Sequence, residues 1–429
     1  MISLNRSVSF KQRAQSVGSP RFFKKSWVSR LFRVHIVLGS VISCLLAISG
    51  GYLYVIPNLT KAFHESGFSG FEKLDRDCDV FDGNWVLDDS YPMYNASECP
   101  FVEKGFNCLG NGRTDKEYLR WRWKPKNCDI SRFNVHKTLE MLRNKRVVFV
   151  GDSMSRTQWE SLICLLMTGI EDKQSVYEVH GSKITKQIRF LGVKFSSFNF
   201  TIEFYRSVFL VQHNWSPKHW PRRVRSALKL DVMDDISKEW INSDVLIFNT
   251  GQWWVPGKLF GTGCYFQLGD SLRLGLSVAN AFGIALVTWS SWVDAMINSS
   301  RTQVFFRTFE PSHWRNLTLR QCNITTQPLQ EAGGKDQSPY SETVFQVVKA
   351  MRTPVTVLHI TPMSAFRSDA HVGHWSDNPS LSDCSHWCLP GIPDMWNEML
   401  LSNLLPEKEN EINPVNGTQI SRDANGLDG

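Results

Sequence analysis

A serine hydroxyl becomes a nucleophile when a histidine takes its proton and a carboxylate fixes that histidine's tautomer. The chain holds these residue types in two short stretches. Ser153 lies in Lys145-Arg146-Val147-Val148-Phe149-Val150-Gly151-Asp152-Ser153-Met154-Ser155-Arg156, and Asp383 and His386 stand three apart near the C-terminus in DCSHWCLPGIP. In a helical turn that spacing puts both side chains on one side, so a single segment supplies a base and its orienter. Plainer readings exist for each stretch. Asp152 or Ser153 could simply cap a helix, His386 could be an ordinary loop histidine, and the G-x-S-x-G elbow of α/β-hydrolases is missing.

The elements that must position these residues are legible from periodicity. Val147 to Val150 is a short β-branched run that reads as a buried strand, and Gly151 breaks it. From Ser153 to Leu166 the spacing turns helical, with Trp159, Leu162, Ile163 and Leu166 on one face. Ser153 therefore sits where a strand becomes a helix, at the carboxyl edge of a sheet, where open α/β sheets bind ligands. Helix N-terminal N–H groups beside it are ready to hold an oxyanion. Asp244 to Gly251 is a second buried strand whose end carries Asn249, followed by Gln252-Trp253-Trp254. Asn249 and Arg156 are oxyanion candidates beside the Ser153 N–H. Trp253 and Trp254 are candidates for stacking on a sugar ring, and Trp387 is placed to pack under His386.

Phe133 to Arg143 and Leu272 to Trp292 read as helices, the second with Gly283 as a weak point. Thr302 to Thr308 and Val355 to Thr361 read as strands, and 188–212 as an antiparallel hairpin at a sheet edge. Strands alternating with helices predict an α/β fold with a parallel sheet flanked by helices.

Charge and hydropathy divide the chain. Residues 1–33 hold eight Lys or Arg and no acid, and 34–56 is a 23-residue, mostly apolar run without charge. The remainder carries 40 basic and 41 acidic residues, a balance that offers no nucleic-acid surface. The apolar run is long enough to span a bilayer, and the basic flank places the N-terminus in the cytosol. This predicts a single-pass type II protein: a basic tail (1–33), a signal-anchor (34–56), a stem (57–77), a Cys/Trp-rich subdomain (78–131), a catalytic domain (132–405) and a disordered tail (406–429). Eight N-x-[ST] sequons follow the anchor, at Asn58, Asn95, Asn199, Asn214, Asn298, Asn316, Asn323 and Asn416. Nine cysteines also follow it, an odd number that leaves at least one unpaired within the chain. Both features fit an oxidising secretory lumen. No Walker, Rossmann or EF-hand motif and no paired C-x₂-C units occur, so no metal or nucleotide cofactor is implied.

Ser153, the D-x-x-H and Asn249-Thr250-Gly251 are the parts of an SGNH (GDSL-type) site. CDVFDGNWV, WRWKPKNC, NKRVVFVGDSMSRTQWES, FNTGQWW and DCSHWCLPGIPDMWNEML together resemble the plant TRICHOME BIREFRINGENCE-LIKE family, in the family's order and over about residues 78–402. Met154 stands where the family often has Leu, a volume-conserving change. The resemblance implies an SGNH-like domain preceded by a Cys-rich region. It implies O-acetylation of cell-wall polysaccharides (xylan, mannan, xyloglucan or pectin) at the Golgi membrane. Ser153 would be the nucleophile, His386 the base and Asp383 its orienter. Acetyl-CoA or an acetylated intermediate would be the donor, supplied with the help of donor-supply proteins. The family's lumenal cysteines pair, and Cys264 is the candidate for the unpaired one. Two alternatives use the same features: a polysaccharide acetyl esterase, with water as acceptor, and a non-catalytic wall polysaccharide (pectin) binding or bridging protein. The placement is testable. Enzymatic deglycosylation of the membrane-bound protein should lower its mass by several glycans, and an unglycosylated, membrane-free product would refute it.

Overall fold

The computed structural model describes residues 79–185, 187–215 and 220–404. The basic tail, the 34–56 run, the stem, the C-terminal tail and the sequons at Asn58 and Asn416 lie outside the described residues. Among the described residues no helix is long and apolar enough to cross a membrane.

A cap comes first. Strands β1 (Gly83–Leu87) and β2 (Trp121–Pro125) pair antiparallel within otherwise irregular chain. Helix α1 (Val135–Met141) then leads into β3 (Arg146–Gly151), and α2 (Ser153–Met167) follows after a single residue. Next come β4 (Val176–Glu178), β5 (Phe190–Phe195), β6 (Phe200–Arg206), β7 (Val211–Trp215), β8 (Ser226–Met233) and β9 (Val245–Phe248). The later elements are α3 (Pro256–Leu259), β10 (Cys264–Leu268), β11 (Ser271–Arg273), α4 (Val278–Met296), β12 (Gln303–Arg307), β13 (Trp314–Asn316) and β14 (Gln321–Cys322). The last are α5 (Pro339–Lys349), β15 (Val355–Leu358), α6 (Thr361–Ala365), β16 (His371–Gly373), β17 (Asp383–Trp387) and α7 (Ile392–Leu404).

The main sheet runs β15-β12-β9-β3-β6-β5-β4. Its first five strands are parallel, and the β5–β6 hairpin turns the edge antiparallel. β3 lies at the centre, and alternate residues feed two cores. Val147 and Phe149 pack with α2, α7 and the cap, while Val148 and Val150 pack with α4 and α5 on the other face. That is the parallel, helix-flanked α/β sheet expected from the sequence.

Three expectations need correction. A second sheet, β11-β10-β8-β7, was not foreseen. It takes residues 271–273 as a strand, so the helix expected from Leu272 starts only at Val278, where Ser277 caps it by accepting from Asn280 N. It then passes through Gly283 unbroken. The last expected strand ends at Leu358, because Thr361 begins α6. Finally, α2 does not bury one face only: every residue from Met154 to Met167 is buried.

The cap and α7 together are the reason: both pack on α2, and Glu103 of the cap meets Arg156 and Glu160 of the helix. The Cys99–Cys164 disulfide ties the cap to α2, and Cys108–Cys388 ties it to the segment before α7. Tyr94 donates to Asp394 Oδ1 at 3.1 Å, Ser161 Oγ to the same oxygen at 2.5 Å, and Tyr91 to Glu398. Burial pushes the Asp394 and Glu398 carboxyls up to about 7. Unfolded, such groups ionise near pH 4. Between about pH 4 and about pH 7 the native state therefore binds more protons, and stability falls as pH rises through that window. Taken by themselves, the two groups contribute a fall of a few kcal/mol in unfolding free energy between pH 5 and pH 8, which denaturant unfolding of the protein and of its Asp394→Asn variant at both pH values resolves. Asp394→Asn should remove its share of that dependence.

Candidate active site

Ser153 begins α2, directly after Asp152 caps it. The Asp152 carboxylate accepts from Met154 N at 2.9 Å, so the capping role expected for either residue falls to Asp152 and leaves the Ser153 hydroxyl free to pair elsewhere. It faces His386: Nε2 is 2.7 Å from Ser153 Oγ, and Nδ1 is 2.7 Å from Asp383 Oδ2. The three side chains form one connected chain of hydrogen bonds within the range used for proton transfer. Burial pushes the Asp383 carboxyl up. The charge and hydrogen bond of His386, with the Ser385 and His386 N–H groups, outweigh it and hold the group well below the usual carboxylate range.

The route by which Asp383 and His386 meet differs from the one expected. They lie in a strand, β17, and not in a helical turn. In a regular strand residues three apart face opposite ways. Here Asp383 Oδ1 accepts from both Ser385 N and His386 N at 3.0 Å, and the ladder is bulged, since His371 pairs with Trp387 and Gly373 with Asp383. The bulge turns the two side chains toward each other.

Asn249 directly follows the neighbouring strand β9 and clamps the turn. Its Nδ2 donates to Asp152 Oδ1 at 3.0 Å and its Oδ1 accepts from Asp152 N at 3.3 Å. Gly151 permits this approach, because a Cβ there would lie 1.9 Å from Asn249 Oδ1. The expected oxyanion candidate is thus mainly a holder of the turn, with one Nδ2 hydrogen to spare. Arg156 does not serve as an oxyanion group. It is buried, paired with Glu103 at 2.6 Å and Glu160 at 3.4 Å, and its guanidinium lies over Phe106. Trp254 is fully buried, donates to Thr250 Oγ1 at 2.8 Å and packs edge-on against Phe209 and Phe282, so no sugar reaches it. Trp253 is half-buried and lies nearer the surface. Trp387 stacks under His371 at 3.8 Å, not under His386. The ring that stacks on His386 is Phe106 of the cap, at 5.5 Å and 29°.

The cysteines pair as Cys99–Cys164, Cys108–Cys388 and Cys322–Cys384, Cys128 is also disulfide-bonded, and Cys264 is free and buried, as expected. Asn95, Asn199, Asn298, Asn316 and Asn323 are exposed, and Asn214 is half-buried. Among the described residues no group of three or more His, Cys, Asp or Glu could hold a metal ion.

The GDSL/SGNH-like acyl-esterase family found in Pmr5 and Cas1p (PC-Esterase) matches residues 130–403, and the PMR5 N-terminal domain matches residues 76–129. The Arabidopsis thaliana protein trichome birefringence-like 7 is 61% identical over 392 residues, covering 90% of this chain and 87% of its own length. Trichome birefringence-like 6 and 9 from the same plant are 41% and 38% identical over 346 and 398 residues. They cover 79% and 88% of this chain, and the matches span 72% and 95% of their own lengths. The chain belongs to the trichome birefringence-like family.

This trichome birefringence-like chain also supports its site with residues that spacing did not reveal. His313 and His371 form a buried pair behind β17. His313 Nδ1 is 2.7 Å from His371 Nε2, His313 Nε2 is 2.8 Å from the Ala365 carbonyl, and His371 Nδ1 is 3.0 Å from the His386 carbonyl. Burial holds both imidazoles below their ordinary value, His313 at about 4. Arg113 of the cap reaches under the same strands, donating to the Asp369 carbonyl at 2.8 Å. Nothing in the sequence links these positions, since they meet only through the tertiary fold. The clamp at the turn is open to test. Gly151→Ala should displace Asn249, costing about 1–3 kcal/mol of stability and about 10²-fold in turnover of a small acetyl ester, the effect of a misplacement near 1 Å. Unchanged turnover would show that the clamp does not position Ser153.

Proposed function

We propose that the chain is an O-acetyltransferase acting on hydroxyls of plant cell-wall polysaccharides through an acetyl-serine intermediate. The observation that carries this reading is the Ser153–His386–Asp383 chain, with both contacts at 2.7 Å, at the carboxyl edge of the sheet. Ser153 Oγ attacks the donor's acetyl carbonyl as its proton passes to His386 Nε2. Asp383 holds the Nδ1 proton and favours the imidazolium. The developing oxyanion lies at the start of α2, where the Ser153 N–H makes no hydrogen bond among the described residues and the helix dipole adds its field. His386 gives its proton to the leaving group. A sugar hydroxyl, deprotonated by His386, then takes the acetyl group and restores Ser153.

Acetyl-CoA or an acetylated intermediate would serve as donor, with donor-supply proteins as partners. In this reading the enzyme is a single-pass type II protein of the Golgi membrane, held by residues 34–56, with its catalytic domain and glycans in the lumen. Xylan, mannan, xyloglucan and pectin are the acceptor classes to compare. An esterase would use the same three residues with water as acceptor, so the acceptor decides between them.

The test is to incubate the purified protein with an acetyl donor and a panel of deacetylated wall polysaccharides, read by mass shift. Ser153→Ala should abolish both transfer and labelling of the protein by donor, and His386→Ala should abolish transfer, because the residues act as a unit. Asp383→Asn should cost up to about 10⁴-fold by favouring the wrong tautomer. Full transfer by Ser153→Ala would reduce that residue to a helix terminus and bring the binding-protein reading forward.

A further inference from the structure

The edge of the sheet beside Ser153 carries two positive charges that acetyl transfer does not use. Arg206 ends β6, and its register partner is Gly151. The next residue, Ser207, donates its N–H to the Gly151 carbonyl at 2.9 Å. Arg206 therefore adjoins the turn that carries Ser153. Trp253 and Lys258 follow β9, on the other side of β3. The two cations converge on one ring: Arg206 Cζ lies 5.7 Å and Lys258 Nζ 5.0 Å from the centre of Trp253.

Both cations are exposed. Among the described residues the Arg206 guanidinium donates no hydrogen bond and forms no ion pair. Lys258 spends one N–H on the Gln252 carbonyl at 2.7 Å and forms no ion pair there either. The carboxylates whose field reaches Lys258 are Asp152, Asp383 and Glu310. Each is engaged inward: Asp152 with the start of α2 and Asn249, Asp383 with His386, and Glu310 with Arg307 at 2.9 Å. Two unpaired cations drawn to one aromatic ring repel each other, and the ring offsets only part of that cost. They also crowd the faces on which a sugar would stack, so Trp253 serves better as their holder than as a platform.

We propose that Arg206, Lys258 and Trp253 form an acceptor subsite for a sugar carboxylate, and that the acceptor is an anionic, uronate-bearing glycan. The proposal rests on the acetyl-transfer reading of Ser153 and narrows its acceptor. The guanidinium fork takes a carboxylate with two parallel N–H groups, and the ammonium adds a point charge. In transfer, the sugar hydroxyl oxygen bonds to the acetyl carbon, the bond from that carbon to Ser153 Oγ breaks, and the hydroxyl proton reaches Oγ through His386. The two cations hold the neighbouring uronate and take no part in these steps.

The test uses the full-length protein in detergent and two probes: a uronate oligosaccharide, and the same oligosaccharide with its carboxyls reduced to primary alcohols. Titration calorimetry should show the carboxylated probe binding at least about ten-fold tighter, as a charge-assisted contact implies, with the difference shrinking as salt rises. Lys258→Glu should invert the preference, and Arg206→Gln should reduce it. Equal binding of both probes would overturn the proposal. So would variants that weaken binding of coenzyme A and leave the uronate probe unaffected, which would assign the cations to donor phosphates. A burst of nitrophenol from p-nitrophenyl acetate tests Ser153 acylation separately, since calorimetry needs no turnover. Absence of a burst would remove the transferase reading without touching the binding result.

Discussion

A 2.7 Å hydrogen bond joins His386 to Ser153 across 233 residues of sequence. Such a contact survives only if both ends are held to within a fraction of an ångström by structure that does not depend on it. At the serine end, the central strand β3, the Gly151 turn and the Asn249–Asp152 clamp fix where α2 starts. At the histidine end, His386 sits in a bulged two-stranded ribbon whose other strand supplies His371, 3.0 Å from the His386 carbonyl, and Phe106 of the cap stacks on its ring. The serine is thus placed by the sheet, and the histidine by the ribbon and the cap together.

That division explains why the cap is polar where it meets α2. A helix buried all round would ordinarily carry apolar residues on every side. This one carries Arg156, Gln158, Glu160 and Ser161, each fully or almost fully buried. Arg156 pairs with Glu103 of the cap, Glu160 accepts from the Glu103 N–H at 2.8 Å, and Ser161 donates to the Asp394 oxygen that Tyr94 of the cap also reaches. Buried charges left without partners cost several kcal/mol, so these groups admit few alternative seatings of the cap. Arg156 lies over the ring that stacks on His386, so the same ion pair also steadies Phe106.

Much of the sheet was legible in the sequence because β-branched runs such as Val147–Val150 and Val245–Phe248 have one reading, a strand buried on both faces. The serine was legible because strand, glycine and helix follow one another within a few residues. Asp383 and His386 were legible as a pair but not in their conformation, since a spacing of three suits a helical turn and only the Asp383 side chain's own hydrogen bonds reveal the bulge. Trp254 was misread because position in sequence does not tell which of two adjacent tryptophans turns inward. Arg156 looked free because its partner, Glu103, comes from a segment without periodicity. Phe106, Arg113, His313 and His371 left no local signal at all, because their roles arise from contacts between segments hundreds of residues apart.

The Cys108–Cys388 bridge spans 280 residues. During synthesis at about 5–20 residues per second, the first of these thiols waits on the order of half a minute before its partner exists. Five other cysteines, Cys128, Cys164, Cys264, Cys322 and Cys384, emerge in that interval, and each is a wrong partner for it. The segment that carries His386 is also the one that closes this bridge, two residues further on. His386 and the last cysteine therefore leave the ribosome together, and the residue that faces Ser153 takes its place only at the end of synthesis.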